Sequence, residues 1–276
     1  MAMFKKVGIV GTGLVGGSLA LALKKKHLAC TVVGVSRQPA TLVRAKALKA
    51  IDAGSTDLDI LKQCDLVVLA TPVQTIITQI KIISNIITQD CIVIDVASTK
   101  EEVVSKAGKL FTKFVGCHPL AGSQEHGIMC ARADLFEKAL CIITCVKTTN
   151  PAALATITTM WRKLGSKPEI LDPYTHDKVL AFMSHLPHVL AFALMASTPR
   201  KYLPFAAQSF RDLTRIASSN AQLWDDIFIT NRKNLMQSID SFSTIFNDMR
   251  TAIKNNDAAA LNRIMTTALR KRQLLP

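Results

Sequence analysis

KVGIVGTGLVGGSLALALKKK, residues 6–26, opens with the short apolar run Val7, Ile9 and Val10, the composition of a buried strand. Gly11, Gly13 and Gly16 follow in the spacing G-x-G-x-x-G. From Leu14 the spacing becomes helical, with Leu14, Gly17, Leu21 and Leu28 near one stripe. Lys24, Lys25 and Lys26 fall where a helix C-terminus favours cations. Each glycine has a physical use. Gly11 permits a tight turn, Gly13 lets the backbone approach a pyrophosphate, and Gly16 lets the helix pack close to the strand. The N–H groups at the helix start, from Leu14 on, are then offered to phosphate. A glycine triplet alone could serve packing only. Its place between a strand and a helix points to dinucleotide binding.

Working outward, Thr31 to Val35 reads as the second strand. Units of this kind carry Asp or Glu about 20 residues past the glycines to bind the ribose 2′-hydroxyl of NAD. Here Ser36 stands at that distance and Arg37 follows. A hydroxyl and a guanidinium would bind a 2′-phosphate, so NADP is expected over NAD. The alternative is an Arg37 that stacks on the adenine or points to solvent. Leu66 to Ala70, Cys91 to Val96, Phe114 to Gly116, Leu140 to Val146 and Pro168 to Leu171 read as further strands. Helical stretches, Thr41 to Ala53, Thr75 to Ile87 and Pro151 to Leu164, alternate with them. This alternation predicts an α/β domain, a doubly wound parallel sheet of the Rossmann type, over residues 1–172. Ligands in such sheets bind beyond the carboxyl ends of the strands. Gly11, Ser36, Thr71 with Pro72, Ser98 and His118 should share that rim. After Asp172 and Pro173 only helical periods remain, at Tyr174 to Met195, Lys201 to Ala217, Leu223 to Lys254 and Ala258 to Lys271. Residues 173–276 are therefore expected to form an all-helical C-terminal domain. About 100 helical residues bury only part of so much apolar surface alone, which predicts a homodimer built through that domain.

Composition narrows the class of partner. The 276 residues carry a net charge of +14, and 49% are hydrophobic. The basic residues are scattered, without the aromatic interleaving that stacks bases. Small anions are therefore preferred over nucleic acid or an anionic membrane. The seven cysteines form no C-x-x-C pair, and most lie in apolar runs. They read as reduced core residues of a cytoplasmic protein. Neither a signal peptide nor an apolar run approaching the ~20 residues of a membrane span is expected.

The groups able to do chemistry are few. His118 sits just after a strand and is followed by Pro119. A neutral imidazole accepts a hydrogen bond on one nitrogen and suits proton transfer near neutrality; packing is the plainer role. Ser98, at the neighbouring strand end, could hold a substrate hydroxyl or orient the histidine. It could also cap a helix, with Glu101 completing a capping box. His185 and His188, three apart on one helix, flank Pro187. No third ligand of suitable spacing accompanies them, so no metal is expected. Arg215 and Asp212 are three apart; a buried Arg215 would be a fork for a carboxylate, and the alternative is an intrahelical ion pair with Asp212. Trp224 reads as core or interface, and His27 and His126 as surface.

With these residues assembled, the chain resembles the prephenate and arogenate dehydrogenases of tyrosine biosynthesis. GTGLVGGS near the start, DVASTK at 95–100, HPLAGS at 118–123, SHLPH at 184–188 and FRDLTRIA at 210–217 carry the resemblance, with Trp224 following. It covers nearly the whole chain. It implies oxidative decarboxylation: a hydride leaves the ring carbon bearing the 4-hydroxyl, and carbon dioxide leaves the opposite carbon. It implies His118 and Ser98 as the catalytic pair. It also implies Arg215 on a substrate carboxylate, with His185, His188 and Ser123 as polar contacts. Gln124 lies where the family separates a keto from an amino side chain, and prephenate and arogenate both stay open, with prephenate preferred. GVSRQ at 34–38 is similar to NADP-using members. Fused mutase or regulatory domains are not expected. Two other readings compete. One is a β-hydroxy acid dehydrogenase, which would need Lys178 or Lys201 as its catalytic lysine. The other is a catalytically silent NADP-sensing module.

Overall fold

The structure is a computed structural model and describes residues 2–121 and 127–275. Strand β1 (Phe4–Val10) leads through the glycine turn into α1 (Leu14–Lys25). Then come β2 (Ala29–Val35), α2 (Pro39–Ala47), the short β3 (Ala53–Ser55) and β4 (Leu66–Leu69). Next are α3 (Val73–Ser84), β5 (Ile92–Asp95), α4 (Glu101–Ala107) and β6 (Phe114–Pro119). The sheet closes with β7 (Leu140–Thr144), α5 (Pro151–Lys163) and β8 (Lys167–Leu171). The spatial order is β3-β2-β1-β4-β5-β6-β7-β8. Its first six strands run in the doubly wound order whose reversal point, between β1 and β4, opens the cofactor crevice.

The sheet is mostly parallel. β7 pairs antiparallel with β6, and β8 runs parallel to β7. The last two strands thus depart from an all-parallel sheet. The chain leaving β6 passes a short 3₁₀ turn, Ile128–Cys130, packed on α1. A Cβ at Gly17 would lie 2.4 Å from Ile128 Cδ1. The described part of the β6–β7 connection holds no α-helix, and β7 runs back along β6. The strand β3 had no counterpart in the sequence reading.

Side chains alternate across the strands with period two. Val7, Ile9, Leu66, Val68, Ile94 and Val115 join one core with Leu19 and Leu23 of α1 and Trp161 of α5. Val10, Val67, Leu69 and Val93 join a second core with α3, α4 and Phe111. In α3 the buried positions Ile76, Ile80 and Ile83 fall at helical spacing, which resolves a stretch ambiguous from its β-branched composition. Trp161 is fully buried, edge-on to Phe136 at 5.3 Å, and its Nε1–H donates to Cys117 Sγ at 3.3 Å.

The remainder is helical. It comprises α6 (Pro173–Leu180), a π turn (Ala181–His185), α7 (Leu186–Ser197) and a 3₁₀ segment (Arg200–Phe205). It continues with α8 (Gln208–Thr214), a 3₁₀ turn (Arg215–Ser218), α9 (Ala221–Thr230), α10 (Arg232–Lys254) and α11 (Ala258–Arg272). Three expected helices are therefore divided, Lys201 to Ala217 among them, which becomes two 3₁₀ segments flanking α8. Pro187 has no N–H to bond back and its ring crowds the preceding carbonyls, so the turn before it widens. Asn231 leaves helical geometry between α9 and α10. Pro173–Ser197 is nonetheless one 25-residue helical run, long and apolar enough by composition to match a bilayer, contrary to expectation. It carries the buried His176, Asp177 and His185, while Val179, Phe182, Met183 and Leu194 are exposed. The outer faces of α10 and α11 likewise expose Ile245, Phe246, Ile253, Met265 and Leu269.

Candidate active site

The glycine turn lies at the carboxyl end of β1. Gly11 has φ = 97°, and a Cβ on it would meet the Ala70 carbonyl at 2.7 Å. A Cβ on Gly16 would lie 2.1 Å from the Gly11 oxygen, so only glycine lets α1 approach the turn. A Cβ on Gly13 would meet nothing within 4 Å. Gly13 caps α1 without a side-chain hydrogen bond, so the first N–H groups, from Leu14 on, face that open space. Across the crevice, Thr71 follows β4, and its buried Oγ1 has no hydrogen-bond partner among the described residues. Pro72 caps α3 beside it. These features fit the phosphates of a dinucleotide. At the end of β2, Ser36 is half-buried and Arg37 exposed. The next carboxylate along the chain, Asp52, is tied to Lys24 and to the Val32 N–H (2.7 Å).

His118, the fifth residue of β6, is buried at the same rim. Its Nδ1 lies 2.9 Å from His176 Nε2. His176 Nδ1 lies 2.7 Å from Asp177 Oδ1. The Asp177 carboxylate also accepts the Lys100 N–H (2.8 Å) and the Glu101 N–H (2.9 Å) at the start of α4. A carboxylate on a helix N-terminus is favoured by the exposed N–H groups and by the helix dipole. It joins the helical half to the sheet half. Burial holds His118 well below the usual histidine pKa, helped by His176, the Lys100 charge and His185. The imidazole is therefore neutral at physiological pH. Burial also lowers His176, against the opposing pull of Asp177. Lys100 is itself fully buried and forms an ion pair with Asp95.

The helical half adds a second polar group. The Asn231 side-chain amide donates to the Asp177 carbonyl (2.7 Å) and to His185 Nδ1 (3.0 Å). His185 Nε2 is buried without a partner among the described residues, and burial takes this histidine down to about 4. His188 donates from Nδ1 to the Ser184 carbonyl (2.9 Å) and stacks on Trp224 at 3.5 Å. The two histidines are thus held by different partners. Thr99 and Thr230 hydroxyls bond at 2.9 Å, a further link between the halves.

Ser98 is half-buried between β5 and α4. Because β5 and β6 pair in register through Asp95 and Gly116, it leaves the sheet beside His118. The capping box, the alternative role for Ser98, does not form. The cap residue of α4 is Lys100, without a side-chain bond, because Asp177 occupies the helix start. Arg215 is exposed rather than buried, at the start of a 3₁₀ turn packed on α7. Ser123 and Gln124, like His126, lie outside the described residues. His27 is exposed. The sequence reading missed His176, Asp177, Lys100 and Asn231. The adjacent pair His176–Asp177, next to a helix start, was the one signal available for them.

Comparison with known proteins gives the family. Residues 19–170 match a model described as the prephenate dehydrogenase nucleotide-binding domain, and residues 172–267 match the prephenate dehydrogenase dimerization domain. The prephenate dehydrogenase of Bacillus subtilis is 33% identical over 279 residues, covering 97% of this chain and 75% of that protein. Prephenate dehydrogenase from Aquifex aeolicus, solved with hydroxyphenyl propionate and NAD+, superposes with a TM-score of 0.91 at 31% identity, covering 98% and 97% of the two chains. Arogenate dehydrogenase from Synechocystis gives a TM-score of 0.84 at 30% identity, covering 97% and 99%. With a glycine cradle, a neutral rim histidine and both domain models in sequence, the chain is a dehydrogenase that belongs to the prephenate dehydrogenase family.

Proposed function

We propose that the chain converts prephenate to 4-hydroxyphenylpyruvate by oxidative decarboxylation, with NADP as hydride acceptor. The observation that carries the reading is the neutral, buried His118 at the sheet rim, hydrogen-bonded through Nδ1 to His176. Its other nitrogen accepts the proton of the substrate 4-hydroxyl as the hydride departs. Ser98, leaving the adjacent strand, orients that hydroxyl. The nicotinamide, when bound, supplies the hydride acceptor. Gly11, Gly13, Leu14, Gly16 and Thr71 with Pro72 hold the pyrophosphate end, and Ser36 and Arg37 hold the 2′-phosphate. Arg215 binds a substrate carboxylate, with His185, His188, Ser123 and Gln124 as further contacts. Loss of carbon dioxide aromatises the ring and drives the step forward. The +14 charge suits a dianionic substrate and a phosphate-rich cofactor. Residues 1–172 act as the nucleotide domain and 173–276 as the dimerisation domain of a homodimer, in keeping with the exposed apolar faces of α10 and α11. Among the described residues Cys30, Cys64, Cys91, Cys117, Cys141 and Cys145 form no disulfide, which suits a cytoplasmic location.

Arogenate is the second reading, supported by the likeness to the Synechocystis enzyme. Purified protein mixed with prephenate or arogenate, each with NADP or NAD, tests both. Reduced nicotinamide should appear fastest with prephenate and NADP. No turnover with either substrate rejects the proposal.

A further inference from the structure

We propose that His176 and Asp177 are positioning residues that hold His118 in its Nδ1–H tautomer, so that Nε2 meets the substrate hydroxyl as an acceptor. The inference deepens the reading of His118 as the base and rests on it. Each link in the chain has one permitted sense. The Asp177 carboxylate faces two backbone N–H groups, Lys100 at 2.8 Å and Glu101 at 2.9 Å, which can only donate. Pinned there, it presents a lone pair to His176 Nδ1 at 2.7 Å, so that nitrogen carries the hydrogen. His176 Nε2 is then an acceptor, and His118 Nδ1, at 2.9 Å, must donate to it. The lone pair of His118 is left on Nε2.

Free imidazole side chains favour the opposite, Nε2–H form, which would present a donor to the hydroxyl. When Nε2 takes the hydroxyl proton, His118 becomes an imidazolium. Its Nδ1–H stays bonded toward His176, with the Asp177 carboxylate beyond. Among the described residues, the other charged or titratable groups around the pair are Lys100 with Asp95, His185, Cys117 and Cys141. Because α6 carries the relay and α4 anchors it, docking of the helical half sets the protonation pattern of a residue on the sheet.

The test combines imidazole ¹⁵N NMR with kinetics on the full-length protein. In the wild type without substrate, His118 should show a protonated Nδ1 and an unprotonated Nε2. His176→Leu removes the acceptor and should move the proton to Nε2. It should lower kcat by about 10²-fold, within the range seen for a misoriented imidazole, with the KM for the nicotinamide cofactor within about twofold. His176→Gln, whose Oε1 can accept from Nδ1–H, should keep the tautomer and most of the activity. A wild-type His118 protonated on Nε2 would overturn the proposal without any variant. So would a His176→Leu protein with wild-type kcat, or a folded His176→Gln protein as slow as His176→Leu. The NMR result stands whether or not prephenate proves to be the substrate, so failure of one reading is distinguishable from failure of the other.

Discussion

Two glycines of the same turn should fail in opposite ways when each gains a methyl group. Gly13 has φ = −83°, open to any L residue, and its added Cβ meets nothing within 4 Å. Replacing glycine at a compatible site stabilises by about 0.4–1 kcal/mol. Alanine is a poorer helix cap than glycine, which offsets a similar amount. The net change in stability of Gly13→Ala is therefore within about 1 kcal/mol. Its methyl, however, occupies the space the phosphates need, and cofactor affinity should fall by at least about tenfold, or about 1.4 kcal/mol. In Gly16→Ala the Cβ starts 2.1 Å from the Gly11 oxygen and 3.0 Å from Ala70 Cβ and Ile9 Cγ2. Helix α1 must move off β1 by about 1 Å to restore ordinary contact distances. Such overpacking costs about 1–3 kcal/mol, or a fall in melting temperature of about 2–12 °C for a chain of this size. Thermal melting with and without NADP, together with cofactor titration, reads both effects. The reasoning is refuted if the two variants melt alike, or if Gly13→Ala binds cofactor as the wild type does.

Arg37→Asp should shift preference from NADP toward NAD, and an unaltered ratio of kcat/KM values would discard the 2′-phosphate argument. Arg215→Ala should chiefly raise the KM for substrate with kcat little changed; an unchanged KM would remove it from carboxylate binding. Acid should destabilise the fold through its buried histidines. Their folded-state pKa values lie below the unfolded value of 6.5, so the unfolded chain binds protons first and stability falls as pH drops below 6.5. His185, titrating at about 4 in the fold, alone removes about 3 kcal/mol between pH 6.5 and 4. The urea midpoint should decline steadily from pH 7 to 5, and a flat midpoint over that interval contradicts the burial argument.

Much of this was legible in the chain because it is local. The run Val7 to Val10, the glycine spacing and the end of β2 at Ser36 need only their neighbours to be read. His118 was legible for the same reason, as a polar group at the end of an apolar strand. What the sequence hid depends on distant partners. Ser98 and Glu101 have the spacing of a capping box, yet Asp177, 76 residues beyond Glu101, takes the start of α4. No period announces Asn231, whose side chain joins α6 to His185 across a break between two helices. The reversal of β7 was equally hidden, since an apolar run carries no sign of its direction. Its motif leaves open whether Arg215 is buried, since burial of a side chain in the helical half depends on packing between distant helices; it is exposed.

The most direct test compares the wild type with His118→Asn in a single assay, reduced nicotinamide formed from prephenate and NADP. The wild type should turn over, and the variant should lose about 10²–10⁴-fold in kcat while binding NADP unchanged, as expected for removal of a general base. A variant that keeps the wild-type kcat would contradict the account at its centre.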